Sequence, residues 1–328
     1  MEPLRVDVLV YSDCLGSEAF ALRDTLVMAN QLAAGQHFDV AVVSVDGASV
    51  SAGGIVLNPA RARRNPQMLI VPGMMTQGSA DLIARTHRLS AECAHIHAVH
   101  GRGARIGAIC VGAFLAAASG VCKGRRVTTA WPVAAALKRW RDDLVVAHEH
   151  MVLLDGPLIT TGAITAAFDL ALALVAERSG PDAALRLRKF LALDGDRNNQ
   201  LRYECALAEP HQADAIVDRA QRMLQHSLAD GFDLARLAHA CASSTRTLLR
   251  RFKAATGASP LAYRQRLVVE TVKALLETTT LPLAHIPARV GYADEASLRR
   301  LFRSHTRMTF KDYRQRFGLL RAHHNGRG

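Results

Sequence analysis

The sequence predicts two domains of different class: an α/β domain with a mostly parallel sheet and helices on both faces, then an all-α domain with two helix-turn-helix units. Three observations predict this. Apolar strand-like runs alternate with helical patterns over the first 190 residues, a segment near the C-terminus recurs at an offset of 50 residues, and the whole excess of positive charge lies in the last third. The length of 328 residues suits two domains, and the composition is that of an ordinary globular chain.

In the first part, strands are predicted at 6–11, 40–44, 68–71, 106–110 and 158–161, and helices at 18–31, 79–100, 112–119 and 164–178. Alternation of this kind implies parallel strands buried under helices, with ligands bound beyond the carboxyl ends of the strands. A polar, turn-forming stretch begins at Leu193. We therefore expect an α/β ligand-sensing domain at 1–192, a linker at 193–214 and the helical domain at 215–320.

Charge separates the two parts. Residues 1–220 hold 22 Lys and Arg against 22 Asp and Glu, whereas residues 221–328 hold 19 against 7, which accounts for the net charge of +12. A neutral domain joined to a strongly basic one points to double-stranded DNA as a partner. The bases are interleaved through several helical periods and form no single membrane-surface stripe. The N-terminus lacks the pattern of a secretory signal and no apolar run reaches membrane-spanning length, so a cytoplasmic protein without a membrane partner is expected. The six cysteines include no Cys-x-x-Cys pair, which argues against a disulfide framework or a zinc knuckle.

The repeat carries the helical domain. Phe252-Lys-Ala-Ala-Thr-Gly-Ala-Ser-Pro-Leu-Ala-Tyr-Arg-Gln-Arg266 is echoed by Phe302-Arg-Ser-His-Thr-Arg-Met-Thr-Phe-Lys-Asp-Tyr-Arg-Gln-Arg316, and Leu248 and Arg250 match Leu298 and Arg300. Before each copy lies a short helix, a turn and a capped second helix, with Ser244 and Asp294 as the caps. A continuous helix at 261–277 joins the two units at a fixed separation, as recognition helices entering successive major grooves require. The face offered to DNA comprises Ser244, Thr245, Arg246, Arg250 and Lys253 in the first unit, with Leu249 among them, and Glu295, Ala296, Arg299, Arg300 and Arg303 in the second. Arginine binds guanine O6 and N7 bidentately, while hydroxyls and helix N-termini hold phosphates. Arg246 and Arg299 are the leading candidates for base contacts.

Residues from about 222 to 318 resemble the AraC/XylS family DNA-binding domain, through Arg-Arg-Phe-Lys-x-x-Thr-Gly-x-Ser-Pro-x-x-Tyr at 250–263 and Val290-Gly291-Tyr292-x-Asp294. Pro287 and the run Arg307-Met-Thr-Phe310 depart from the family pattern. Pro287 is compatible with a helix that starts late, and the second unit is expected to bind more loosely or to read fewer bases.

In the first domain, Arg105-Ile-Gly-Ala-Ile-Cys110-Val-Gly-Ala-Phe-Leu runs from a buried strand straight into a small-residue helix, the shape of a nucleophile elbow. A helix N-terminus there is expected to lower the thiol pKa and to offer amides to an anion. A buried structural cysteine is the plain alternative. Glu18, in a Gly-Ser-Glu turn, could add a carboxylate, although the helix macrodipole explains it equally well. His148-Glu149-His150 and the trio His95, His97 and His100 are read as surface histidines, so no metal is expected.

Residues 69–73, 106–113, 125–131 and 160–171 resemble the glutamine-amidotransferase-like PfpI class, and the order of the two domains resembles GlxA-type regulators. The resemblance implies a transcriptional regulator whose α/β domain senses an unidentified small-molecule effector, with Glu18, Gly73, Cys110, Val111 and Trp131 as pocket candidates. The class usually places a histidine between the Thr-Thr pair and Trp131. Here Ala130 stands there, and a methyl group accepts no proton, so no catalytic residue and no cofactor are expected. Further implied partners are a second copy of the chain, as a homodimer, and RNA polymerase. The alternatives are a Cys110-dependent amidase, deglycase or hydratase with an accessory DNA-binding domain, and a thiol redox sensor, which needs an exposed, low-pKa Cys110 and a resolving thiol such as Cys122.

Overall fold

The computed structural model describes residues 2–33, 35–195, 197–204 and 214–318, and the chain divides into two compact units, residues 1–200 and 201–328. The first unit contains strands β1 (Leu4–Leu9), β2 (Phe38–Ser44), β3 (Val50–Ala52), β4 (Ile55–Leu57), β5 (Ala60–Arg61), β6 (Met68–Val71), β7 (Arg105–Ala108), β8 (Arg126–Val127), β9 (Val145–Val146), β10 (Val152–Asp155) and β11 (Leu158–Thr161). Its helices are α1 (Gly16–Leu32), α2 (Ser79–Arg88), α3 (Ser90–Gly101), α4 (Gly112–Ala118), α5 (Ala134–Trp140), α6 (Ala166–Ser179) and α7 (Pro181–Phe190).

Seven strands form one sheet in the order β10-β11-β7-β6-β1-β2-β5, parallel except for the edge strand β10. Every residue of β6 and β11 is buried, as expected of parallel strands covered on both sides. Helices α1, α6 and α7 pack together as one group and α2, α3 and α4 as another. The β3–β4 hairpin stands outside this sheet with Ile55 and Val56 each 67% exposed. The long helix expected at 79–100 is broken at Leu89, whose ψ of 46° leaves the helical region, so Ser90 starts a new helix.

The strand expected at 106–110 ends at Ala108. Ile109 still bonds Val71 O at 2.9 Å, but Cys110 turns to φ 54° and Gly112 N closes the turn on Ile109 O at 2.7 Å. The left-handed region is costly for a residue with a Cβ, and here the neighbouring packing enforces it. Gly112 is part of that packing: a Cβ on it would stand 2.3 Å from Val71 O and 2.7 Å from Pro72 O.

The second unit contains α8 (Ala215–His226), α9 (Leu234–Ala240), α10 (Thr245–Thr256), α11 (Pro260–Thr278), α12 (Ile286–Arg289), α13 (Glu295–Thr306) and α14 (Phe310–Phe317). Helices α9 and α10 form the first helix-turn-helix and α12 and α13 the second, with α11 between them. Each has its own core: Leu248 and Phe252 pack with Val217, Leu224 and Leu237, whereas Leu298 and Phe302 pack with Val268, Ile286, Phe310 and Tyr313. Caps repeat at the same offset. Ser244 Oγ accepts from Thr247 N and Asp294 from Ala296 N and Ser297 N, while Ser259 and Thr309 cap α11 and α14. Pro287 falls in the first turn of α12, where its missing N–H costs no hydrogen bond. Arg307 takes the left-handed position, φ 59°, that Gly257 holds after α10, an arrangement that costs a non-glycine residue about 1 kcal/mol. No helix among the described residues is long and apolar enough to cross a membrane.

Residues 205–213 of the segment expected as a linker lie outside the described residues. So does residue 196, whereas 193–195, 197–204 and Asp214, the cap of α8, are described. Gln200 is fully buried in the first unit, and a short 3-10 helix at Leu201–Tyr203 belongs to the second.

Both tryptophans, Trp131 and Trp140, are in the first unit, so intrinsic fluorescence reports its unfolding. Gly112→Ala is expected to lower the urea-unfolding stability read by that signal by about 3 kcal/mol, because backbone oxygens cannot give way to the new methyl. A loss below about 1 kcal/mol would show that the elbow can relax.

Candidate effector pocket and DNA interface

The elbow brings four of the five pocket candidates together. Gly73 N donates to Glu18 Oε2 at 2.6 Å, and a Cβ on Gly73 would meet Val111 Cγ2 at 3.0 Å and that carboxylate oxygen at 3.3 Å. Glycine is therefore what lets Pro72–Gly73 lie against both Glu18 and the start of α4. Tyr11 Oη donates to Pro72 O at 2.5 Å and fixes the same turn from the strand side. Trp131 is half-buried and is tied to the site through its backbone, its N–H donating to Gln200 Oε1 at 3.2 Å.

Burial sets the protonation of the site. Glu18 is 0% exposed, and loss of solvent raises its pKa from 4.5 to about 7 against the lowering effect of the Gly73 amide and the Cys110 thiol. Its Oε1 has no partner of full hydrogen-bond geometry. Cys110 is only 5% exposed, and desolvation drives its thiol well above the usual range, reinforced by Glu18 and opposed only by the Val111 amide. The expectation that the helix N-terminus would lower this pKa is thus corrected. A few oriented amides at one end of a short helix do not offset removal of the thiolate from water. Cys122 is fully buried, with burial pushing its thiol up to about 12, so it too lacks the exposed, low-pKa character of a redox sensor.

Two residues that the sequence did not single out frame the site. Thr129 Oγ1 donates to Cys110 O at 2.8 Å. Gln200 Nε2 in turn donates to Thr129 O at 2.8 Å, to Thr128 Oγ1 at 3.2 Å, and to the carbonyls of His148 and His150 at 2.5 and 3.3 Å. The last residue of the first unit is therefore two hydrogen bonds from the Cys110 backbone. The His148-Glu149-His150 run serves this clamp through its carbonyl groups. A polar residue in a polar stretch carries no periodic signal, which is why Gln200 was not legible.

In the second unit, Thr245, Arg246, Leu249, Arg250 and Lys253 are all exposed on α10, and Ser244 is exposed as its cap. Arg246, Arg250 and Lys253 have no side-chain hydrogen bond or ion pair among the described residues, which leaves them free for a polyanion. On α13, Ala296, Arg299, Arg300 and Arg303 are exposed and Glu295 is half-buried. Arg299 is engaged within the unit: its Nε donates to Glu295 Oε1 at 2.6 Å, and its guanidinium lies 5.3 Å from the centre of the Phe310 ring. Arg300 donates to Ser297 Oγ at 2.8 Å and faces Asp294 at 3.7 Å. Arg303, like Arg246, is unpaired among the described residues.

The raised Glu18 pKa gives stability a defined pH dependence. Because the folded state holds this proton more tightly than the unfolded chain, its contribution is full below pH 4.5 and is lost as pH rises through about 7. The loss is on the order of 2–3 kcal/mol. Urea unfolding of wild type followed by tryptophan fluorescence is expected to show this decline between pH 5 and pH 8, and Glu18→Gln, which keeps an acceptor for Gly73, to lack it. Equal pH slopes in the two proteins would refute the buried-carboxyl account.

The DJ-1/PfpI family profile matches residues 14–177, half of the chain, and a helix-turn-helix domain profile matches residues 237–316. Along its length the chain is similar to the HTH-type transcriptional regulator GbdR of Pseudomonas aeruginosa, at 22% identity over 303 residues, covering 89% of this chain and 79% of GbdR. It is also similar to the HTH-type transcriptional regulator GlxA of Rhizobium meliloti, at 28% identity over 221 residues, covering 66% of this chain and 67% of GlxA. Among solved structures, a transcriptional regulator protein from Vibrio parahaemolyticus superposes with a TM-score of 0.51 at 22% identity, covering 58% of this chain and all of that one. That likeness shows the fold of the first unit alone. The chain belongs to the DJ-1/PfpI family and carries, behind that domain, a helix-turn-helix domain of the AraC type.

Proposed function

We propose that the chain is a sequence-specific transcriptional regulator: the second unit binds operator DNA, and the DJ-1/PfpI unit senses a small metabolite that changes that binding. The observation that carries this reading is the duplicated, capped helix-turn-helix with unpaired cations on both recognition helices, on a chain whose other unit matches the DJ-1/PfpI family. The relatives GbdR, GlxA and CdhR, all described as HTH-type transcriptional regulators, support it.

The first unit acts as a sensor and not as a catalyst. A methyl group stands at position 130, where the resembling class has histidine, and the Cys110 thiol is protonated at neutral pH because burial disfavours the thiolate. An effector reaching Glu18, Gly73, Cys110, Val111 and Trp131 would act by differential affinity for two states of the unit. The Thr129–Gln200 hydrogen bonds offer a route from the Cys110 backbone to the point where the chain leaves the first unit. A homodimer is supported by the apolar hairpin tip, where Ile55 and Val56 lie open to solvent. RNA polymerase is the further partner of such a regulator in the cytoplasm if it activates transcription.

Capture of genomic fragments by the purified full-length protein at fixed salt is expected to enrich one shared motif, and Arg246→Ala to lower affinity for it about tenfold. Salt-sensitive binding with no shared motif would reject the operator reading and return attention to Cys110 chemistry.

A further inference from the structure

Lys273 is charged, yet it lies in the apolar stripe of α11. Val269, Val272 and Leu276 beside it are buried, and Lys273 is itself only 3% exposed. Lysine is almost never buried this deeply unless its charge is partnered. Here three N–H groups meet three acceptors: Glu204 O at 2.6 Å, Glu270 Oε1 at 2.8 Å and Leu201 O at 3.3 Å. Glu270 is on the same helix and would be met as well by an exposed lysine. The two carbonyls explain the depth, and both belong to the stretch that the sequence marks as a linker.

That stretch is held at further points of the second unit. The short helix Leu201–Tyr203 packs against α13, and the Tyr203 ring stands edge-on to Phe317 of α14 at 5.9 Å. The part of α11 that carries Lys273 shares its core with α13 and α14, through Val268, Val272, Leu298, Phe302, Phe310 and Tyr313. The anchorage is thus on the second helix-turn-helix.

The residues just before it are held in the first unit. Arg197 pairs with Asp169 at 3.0 Å and donates to Thr165 Oγ1 at 2.7 Å. Asn198 O accepts from Met151 N at 3.2 Å, and Gln200 N donates to Glu149 O at 3.0 Å, beside the amide clamp on Thr128 and Thr129. Anchored residues of one unit therefore pass into anchored residues of the other across the single peptide bond 200–201. One free residue would absorb about 3.5 Å of movement, and this junction has none. Drawing the chain off Lys273 would leave a buried ammonium short of two acceptors, which its burial makes costly.

We propose that residues 197–204 are a strap without slack, which carries changes at the Thr129–Gln200 clamp to the second helix-turn-helix, with Lys273 as its anchor there. Lys273 is a positioning residue in this device. The inference rests on the regulator reading above and names the path by which the sensor acts.

Coupling between two sites is reciprocal, so DNA can report it while the effector is unidentified. Purified full-length protein is saturated with an operator fragment selected from random DNA, and amide hydrogen exchange is followed by mass spectrometry over the 128–131 segment, where the Trp131 N–H donates to Gln200 Oε1. In wild type, operator is expected to change exchange there about fivefold or more. Insertion of Gly-Ser-Gly-Ser between Gln200 and Leu201 leaves both sets of anchors intact and adds up to about 14 Å of slack. The insertion variant is expected to bind operator and to lose the response. Lys273→Met keeps an unbranched chain in the apolar stripe and removes the donors, and is expected to lose the response with an unchanged thermal melt. The strap is overturned if wild type shows no response, or if the insertion variant either fails to bind operator or responds as wild type does. Lys273→Met responding as wild type does overturns Lys273 as the anchor, and if that variant fails to fold the insertion decides alone. Selection of no operator is a different result, and rejects the regulator reading itself.

Discussion

The turn from β7 into α4 is the constraint on which the first unit depends. Ile109 is still bonded to the sheet through Val71, while Gly112 already packs on Val71 and Pro72 at a distance no other residue allows. Between these two fixed points Cys110 has no room for an ordinary backbone conformation and takes φ 54°. The strain is held by neighbours: Tyr11 anchors Pro72, Gly73 anchors Glu18, and Thr129 anchors the Cys110 carbonyl. The same crowding that enforces the turn also removes water, so one arrangement of backbone accounts for both the geometry and the protonation of Glu18 and Cys110.

A protonated thiol beside a carboxyl whose pKa burial raises to about 7 is poorly suited to nucleophilic attack. Gln200 ties distant segments of this region together. Its amide holds four acceptors from segments that are distant in sequence, and Gly162 lies so close that a Cβ there would meet its side chain at 2.7 Å. With its two N–H groups shared among these acceptors, the buried amide holds the 128–131 segment to the residue at which the first unit ends.

The second unit reaches its form through duplication of local signals. Caps, buried Leu-Phe pairs and turns recur at one offset, and the connecting helix α11, 19 residues long, spans about 28 Å. Duplication fixed the scaffold and left the exposed positions free to diverge. The two copies differ at the exposed positions 245, 246 and 249 against 295, 296 and 299, and agree at the buried pairs Leu248/Leu298 and Phe252/Phe302. The Glu295–Arg299 pair and the Phe310 ring restrain one of those divergent arginines, whereas Arg246 stands unrestrained. That difference is consistent with unequal contributions of the two units to binding.

What the sequence by itself determined is what local chemistry decides. Apolar alternation announced the parallel strands, the repeat announced two helix-turn-helix units, and the small residues around Cys110 announced a sharp strand-to-helix turn, because each depends on residues a few places apart. Charge separation likewise needed only counting. Tertiary structure decided the rest. It reversed the expected shift of the Cys110 thiol, because burial there depends on Tyr11, Glu18 and the Pro72–Gly73 turn, which no local pattern brings together. It tied Arg299 to a ring on the following helix, broke the 79–100 helix at Leu89, and buried Gln200 among three distant segments. Burial and hydrogen-bond satisfaction are properties of a filled volume, and a one-dimensional pattern specifies which residues can enter that volume, but not which of them meet there.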